Sequence, residues 1–195
     1  MMDIFETALQ GQLEFWKKFD VTMACQMSDT LKEMKKFLDF SPKVFERSHL
    51  MGHFTGSAMV VTEDFSRALL THHVKLDKWL QLGGHADGDS DLARVALKEA
   101  EEESGLSDLE LKKWQFDTAP FDFDIHEIPA RKNELRHLHF DVRYLVVAKG
   151  DLAPRVSAES KDLKWIPLNE ISFFTQEDSM IRQFRKLEIL HNLFN

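Results

Sequence analysis

Three glutamates lie close together near the middle of the chain: Glu99, Glu102 and Glu103. Their spacing is i, i+3 and i+4, so on a helix the three carboxylates share one side within a single turn. Such a concentration of like charge costs stability unless a cation neutralises it. Hard oxygen ligands suit Mg²⁺ or Mn²⁺, which also bridge to phosphate oxygens. A charge run by itself is more often a solvated helix face, so the surrounding residues must decide between the two interpretations.

Glycines stand on both sides of the acidic cluster. A short apolar strand, Trp79 to Leu82, leads into Gly83 and Gly84, and a helix is predicted from about Ser90 to Ser104 with Gly105 as its C-terminal stop. Chance seldom places a Gly-Gly turn, a helix, an acidic triad and a terminal glycine at these distances. The arrangement therefore favours a metal site over a solvated face.

The run GGHADGDSDLARVALKEAEEESGL, residues 83 to 106, resembles the box of the Nudix family. The positions in register with that box are Gly84, Glu99, Ala100, Glu102, Glu103, Gly105 and Leu106. Two positions depart from it: Lys98 stands where the family has arginine, and Ser90 where it has the first glutamate. Lys98 keeps the charge without the bidentate fork of arginine, and Asp89 or Asp87 could supply the missing acid.

The resemblance covers about residues 50 to 175, because a β-rich segment precedes the box and a strand ending in Trp165-Ile166-Pro167 follows it. The GGH start of the box and the later run HLHFDVRY resemble a bacterial branch of the family. The implied fold is a Nudix-type α/β/α sandwich with a mixed β-sheet. We assign residues 49–195 to this domain and residues 1–48 to a helical N-terminal extension, which could cap the sheet, form a dimer contact or cover the site.

The remaining elements follow from hydrophobic periodicity and turn residues. In the extension we predict two helices, the second capped by Ser28 and Asp29. A hairpin around residues 53–73 precedes the box, and four strands and two helical segments follow it. These are strands at 109–116, 121–128, 138–148 and 163–166, a short helical piece at 168–174, and a longer helix at 177–193.

The resemblance implies roles for the box residues. Glu102, Glu103 and the Gly83 carbonyl would bind Mg²⁺ or Mn²⁺, and Glu99 would either bind metal or act as general base. Family members sometimes take the base from a loop before the last strand, where Glu159 is the candidate, although an exposed loop acid is as good an interpretation. The implied reaction is attack of an activated water on one phosphorus of a diphosphate.

A polar stripe lies on a later predicted strand. His137, His139 and Asp141 alternate there, so their side chains face the same side. With His85 of the box loop they could line the substrate cleft, or they could be solvent-facing or satisfied core residues. A zinc site is less favoured, because HxH lacks further ligands at a recognisable spacing. A basic group could hold phosphate or decorate a loop: Arg131, Lys132 and Arg136.

Composition narrows the partners and the compartment. A net charge of -8 and a pI near 5.6 argue against nucleic acid and anionic membranes as partners. Cys25 is the only cysteine, so no intramolecular disulfide can form, and the N-terminal residues match neither a signal peptide nor a membrane span. We expect a cytoplasmic protein that acts on a small nucleotide, with a homodimer as one possible assembly.

The leading functional hypothesis is a metal-dependent hydrolase of a nucleoside diphosphate derivative, with nucleoside diphosphate sugars and ADP-ribose favoured and triphosphates next. The alternative is a Nudix-like sensor that binds a nucleotide without hydrolysis, which the departures at Ser90 and Lys98 keep open. An isomerase of prenyl diphosphates on the same fold would need a catalytic cysteine, and Cys25 lies far from the box in sequence.

Overall fold

The computed structural model describes residues 2–114, 117–130, 135–158 and 160–195. It has an α/β fold with a mixed sheet, as predicted. The helices are α1 (Met2–Lys17), α2 (Val21–Leu38), α3 (Leu92–Ser104) and α4 (Asp178–Phe194), with a 3-10 helix at Leu168–Phe173. The strands are β1 (Gly52–Thr62), β2 (Arg67–His73), β3 (Lys78–Leu80), β4 (Leu82–His85), β5 (Leu109–Leu111), β6 (Lys113–Trp114), β7 (Asp117–Thr118), β8 (Asp122–Ile128), β9 (His137–Ala148) and β10 (Ser160–Pro167). No helix in the described ranges is long and apolar enough to cross a membrane.

Eight strands form the main sheet, in the order β10-β2-β1-β9-β5. Strand β3 pairs with β2, β4 with β1 and β8 with β9, while β6 and β7 form a separate two-stranded sheet. The predicted hairpin is confirmed, because β1 and β2 are antiparallel with Val60 opposite Leu69.

The chain divides into two compact units. The first comprises Met1–Gly56, Gly84–Val95 and Lys113–Tyr144, and it contains α1, α2 and β8. The second comprises Ser57–Gly83, Ala96–Lys112 and Leu145–Asn195, and it contains β2, β10 and α4. The acidic triad of α3 and Gly83 belong to the second unit, whereas the histidine-rich part of β9 belongs to the first.

The helix that carries the triad, α3, ends where the sequence predicts and begins two residues later. Gly105 has a φ of +66°, a left-handed conformation that glycine adopts without a steric penalty, and it ends the helix directly after Ser104. At the other end, the Asp91 side chain accepts a hydrogen bond from the Arg94 amide at 3.1 Å, which is the geometry of an N-cap. Ser90 therefore lies in the loop before the helix.

The prediction that Ser28 and Asp29 cap the second helix is wrong. Helix α2 begins at Val21, and the Asp20 side chain accepts a hydrogen bond from the Met23 amide at 2.9 Å. With that cap in place the backbone stays helical through Ser28. Asp20 and Ser28 are both good cap types, and the sequence alone did not show which of the two the chain uses.

The N-terminal helices pack on strands of the first unit. The Phe37 ring of α2 stacks on Phe140 of β9 with 3.8 Å between ring centroids, and Phe54 of β1 lies beside both rings. Trp16 of α1 is fully buried and contacts Phe121 edge to face at 5.9 Å. Within this unit the extension covers an apolar sheet face, which is the first of the three roles considered for it.

Candidate functional site

The three glutamates of α3 differ in exposure. Glu103 is 8% exposed, Glu99 is half-buried and Glu102 is exposed. Lys98 lies one helical turn before Glu102, and its Nζ is 3.6 Å from a carboxylate oxygen of Glu102. Helical spacing therefore places a carboxylate cluster on α3 with Glu103 as its most buried member.

Gly83 lies against this cluster. Its backbone N–H donates to Oε1 of Glu103 at 3.3 Å, which orients the buried carboxylate. A Cβ at position 83 would lie 2.4 Å from Oγ and 2.7 Å from Cα of Ser57, so only glycine fits this close approach. The backbone of β4 and the end of α3 are thus held together in the second unit.

The side chains of this cluster offer carboxylate oxygens. Such ligands suit Mg²⁺ or Mn²⁺, and a divalent cation would offset the like charges that α3 brings together. The buried Glu103 carboxylate, oriented by the Gly83 amide, fits a metal-binding role. The residues present therefore fit the metal that the box implies.

The two acids considered as replacements for the missing box glutamate are each paired with an arginine. Asp87 accepts two hydrogen bonds from Arg47, at 2.5 and 2.7 Å. Asp89 accepts from Arg94 at 2.6 and 2.8 Å, and this hydrogen bond keeps the pKa of Asp89 below its usual range. Both acids therefore have their charge balanced locally.

The polar stripe of β9 continues onto β8 in the first unit. His139 lies opposite His126, and Asp141 opposite Asp124, in the antiparallel register of the two strands. Asp141 itself is buried, where it accepts a hydrogen bond from Thr55 at 2.8 Å and one from Arg143 at 2.7 Å. The Asp141 carboxylate is thus hydrogen-bonded to Thr55 of β1 and Arg143 of β9, which argues against direct contact with the substrate.

Arg143 is the centre of a buried ion network that sequence reasoning missed. It is 2% exposed and lies 2.7 Å from Asp141, 3.1 Å from Asp124 and 3.2 Å from Asp122. Burial disfavours the guanidinium charge, but the three carboxylates outweigh that effect and raise the pKa of Arg143. Alternation of polar residues on 122–126 and 139–143 was the available signal, but the pairing of the two strands had to be known.

Five histidines gather next to this network. His53 of β1 lies 4.9 Å from His137, 4.8 Å from His139 and 5.0 Å from His85, measured between ring centroids, and His126 is 5.5 Å from His139. Burial and the neighbouring imidazoles lower the pKa of His53 to about 4 and that of His139 to about 2. These two rings are therefore neutral at physiological pH. His53 was not among the predicted site residues, because a single histidine in an apolar strand carries no motif.

The remaining predicted site residues are basic side chains and one candidate base. Arg136 is exposed and forms an ion pair with Glu127. Arg131, Lys132 and the candidate base Glu159 lie outside the described residues.

The family model described as NUDIX domain matches residues 52–187. This match spans more than half of the chain and includes the carboxylate cluster of α3. The chain therefore belongs to the Nudix family, for which dependence on a divalent metal is typical.

Solved structures show the same fold. A NUDIX-family hydrolase from Clostridium perfringens is 24% identical with a TM-score of 0.57, and the match covers 71% of this chain and 97% of that one. For an Ap4A hydrolase from C. elegans the identity is 16%, the TM-score 0.57 and the coverage 72% and 98%. The NUDIX domain of Shewanella oneidensis NrtR, complexed with ADP ribose, is 18% identical with a TM-score of 0.50, and the match covers 81% of this chain and 97% of that one. No curated protein matches the sequence significantly.

Proposed function

We propose that this chain is a metal-dependent hydrolase that cleaves the diphosphate linkage of a nucleoside diphosphate derivative, with nucleoside diphosphate sugars and ADP-ribose as the favoured substrates. The observation that carries the proposal is the buried Glu103 carboxylate, oriented by the Gly83 amide beside Glu99 and Glu102 on α3. The C. elegans relative is described as an Ap4A hydrolase and the Shewanella domain as an ADP ribose complex, so small nucleotides are the substrates to test first.

Glu99, Glu102, Glu103 and the Gly83 carbonyl are the proposed metal ligands. Bound Mg²⁺ or Mn²⁺ would offset the charge of the diphosphate oxygens and lower the pKa of a bound water. Glu103 would hold its position through the Gly83 N–H, and Lys98 would orient Glu102. Glu99 or Glu159 would accept the proton of the attacking water as general base.

The residues proposed from the sequence as substrate contacts differ in how accessible their side chains are to a ligand. Arg136 is exposed and could exchange its Glu127 partner for a phosphate. Arg131 is proposed as a second phosphate contact from the sequence alone. Asp141 is held by Arg143 and Thr55. The other three proposed contacts are members of the histidine cluster: His85, His137 and His139. Imidazole nitrogens are ligands for transition metals as well as donors to phosphate.

Glu103→Gln should lower kcat by at least ~100-fold, because it replaces a charged metal ligand with a neutral amide of the same shape. The measurement is phosphate or nucleotide release with Mg²⁺ or Mn²⁺ from a panel of nucleoside diphosphate sugars, ADP-ribose, dinucleoside polyphosphates and triphosphates. Glu101→Gln is the matched control, since Glu101 is an exposed glutamate of the same helix outside the box pattern. If the wild type cleaves nothing while a nucleotide raises its Tm, the sensor alternative replaces this proposal.

The variants Glu99→Gln and Glu159→Gln should show which of the two glutamates is a metal ligand and which is the general base. Loss of a metal ligand raises the metal concentration needed for half-maximal rate, whereas loss of the base lowers kcat by roughly 10²–10⁴-fold at saturating metal. Titrating Mg²⁺ and Mn²⁺ for both variants distinguishes these outcomes. Neither residue is the base if both variants keep the wild-type kcat at saturating metal.

A further inference from the structure

We propose that His53, His137 and His139 form a binding site for a borderline divalent transition metal, with Zn²⁺ as the reference ion. One ring nitrogen from each of these three side chains lies within 4.8 Å of the other two. The sequence argued against such a site because HxH lacked further ligands, and the fold supplies a third from β1. This site uses residues other than the proposed box ligands and does not depend on the proposed reaction.

Backbone contacts between β1 and β9 bring the three rings together. The Leu138 amide donates to the Met51 carbonyl at 3.1 Å. A Cβ at Gly52 would lie 2.4 Å from the Leu138 carbonyl oxygen, so the absence of a side chain permits the approach. His53 follows this contact directly on one strand, and His137 and His139 flank it on the other. The cluster thus rests on rigid, paired strands rather than on a loop.

His53 has the most informative environment of the three. It is 2% exposed, and within the described ranges neither ring nitrogen has a hydrogen-bond partner. A buried polar group without a partner costs free energy, so native structures rarely keep one without a reason. Coordination of a metal by one ring nitrogen would satisfy it.

His137 is oriented as metal-binding histidines usually are. Its Nδ1–H donates to the Leu135 carbonyl at 2.8 Å, because a carbonyl only accepts, and this leaves the lone pair on Nε2. That Nε2 lies 3.2 Å from Nε2 of His139. Two imidazoles on one tetrahedral Zn²⁺ have their nitrogens about 3.3 Å apart, given Zn–N distances of about 2.0–2.1 Å. A hydrogen bond between the two rings would also explain this distance, but it would not explain why both ring nitrogens of the buried His53 lack a hydrogen-bond partner in the described part of the chain.

The surroundings favour a cation. Asp122, Asp124 and Asp141 place three carboxylates around the guanidinium of Arg143. Asp124 accepts from Nδ1 of His126 at 3.0 Å, and the His126 ring faces His139 across the strand pair. These carboxylates would help to offset the charge of a divalent ion held by the imidazoles.

The donor type selects the metal. Imidazole nitrogen suits zinc, copper, iron and nickel, whereas Mg²⁺ requires oxygen ligands. His85 lies 5.0 Å from His53 and 5.1 Å from His139 between ring centroids, which makes it the nearest candidate for a fourth position. The site would hold a transition metal while the carboxylates of α3 take Mg²⁺ or Mn²⁺.

The test is metal retention by the full-length chain without an affinity tag. After chelator treatment, the protein is dialysed against Zn²⁺ with a large excess of Mg²⁺ and analysed by elemental mass spectrometry. About one Zn²⁺ per chain should remain in the wild type, in Glu103→Gln and in His72→Gln, a histidine of β2 outside the cluster. The double variant His53→Gln/His139→Gln should lose it. At a hundredfold excess over Kd, Zn²⁺ should also raise the wild-type Tm by roughly 5–10 °C.

X-ray absorption of the Zn²⁺-loaded wild type covers the case in which the double variant does not fold. At least three imidazole ligands at about 2.0–2.1 Å are expected. Fewer than three imidazoles, equal zinc retention in the folded double variant, or no zinc retained by the wild type would each overturn the proposal.

Discussion

Replacing Arg143 with methionine is expected to lower the free energy of unfolding by about 3–5 kcal/mol, because the change leaves buried carboxylates without their counter-charge. Three aspartates lie within 3.2 Å of this guanidinium, and both Arg143 and Asp122 are almost completely buried. Methionine has a similar length, so lost packing contributes little. The measurement is urea unfolding in the presence of a chelator, so that bound metal does not contribute.

Arg136→Met is the matched control for Arg143→Met. Arg136 also pairs with an acid on β8, Glu127, but both side chains are exposed, so the expected cost is only about 0–1 kcal/mol. Equal losses in the two arginine variants would contradict the assignment of Arg143 as the counter-charge of the network.

Trp16→Ala is expected to cost about 3–5 kcal/mol, the usual range for removing a fully buried aromatic side chain. Trp16 lies in α1, where it contacts Phe121 at 5.9 Å and Trp114 at 6.1 Å between ring centroids. The variant tests whether the N-terminal helices belong to the core of the first unit. Urea unfolding followed by circular dichroism should show a midpoint shifted to lower urea for the variant.

Phe19→Ala provides the comparison within the same extension. Phe19 is 42% exposed, so its removal should cost about 1 kcal/mol or less. If Trp16→Ala is as mild as Phe19→Ala, the extension is an appendage that folds separately, and the predicted boundary between residues 48 and 49 is also a boundary of stability. A large difference between the two variants means that residues 49–195 alone lack part of their core.

Local patterns were sufficient for the box and most of its surroundings. Helical spacing of Glu99, Glu102 and Glu103, together with Gly105 as a terminator, predicted α3 to within two residues, because both signals act within a few residues along the chain. Two β-rich runs separated by the polar turn Thr62-Glu63-Asp64 predicted the hairpin of β1 and β2 for the same reason. The start of α2 was predicted wrongly, because Asp20 and Ser28 are equivalent as cap types.

The sequence by itself determined the family, the helix of the box and the residue types available for metal chemistry. Only the tertiary structure decided which distant groups meet: His53 with His137 and His139, and Arg143 with Asp122 and Asp124. These groups lie on β1, β8 and β9, so their contacts depend on strand order and register. Strand pairing between distant segments is set by the burial of the whole sheet, and no short window of residues encodes it.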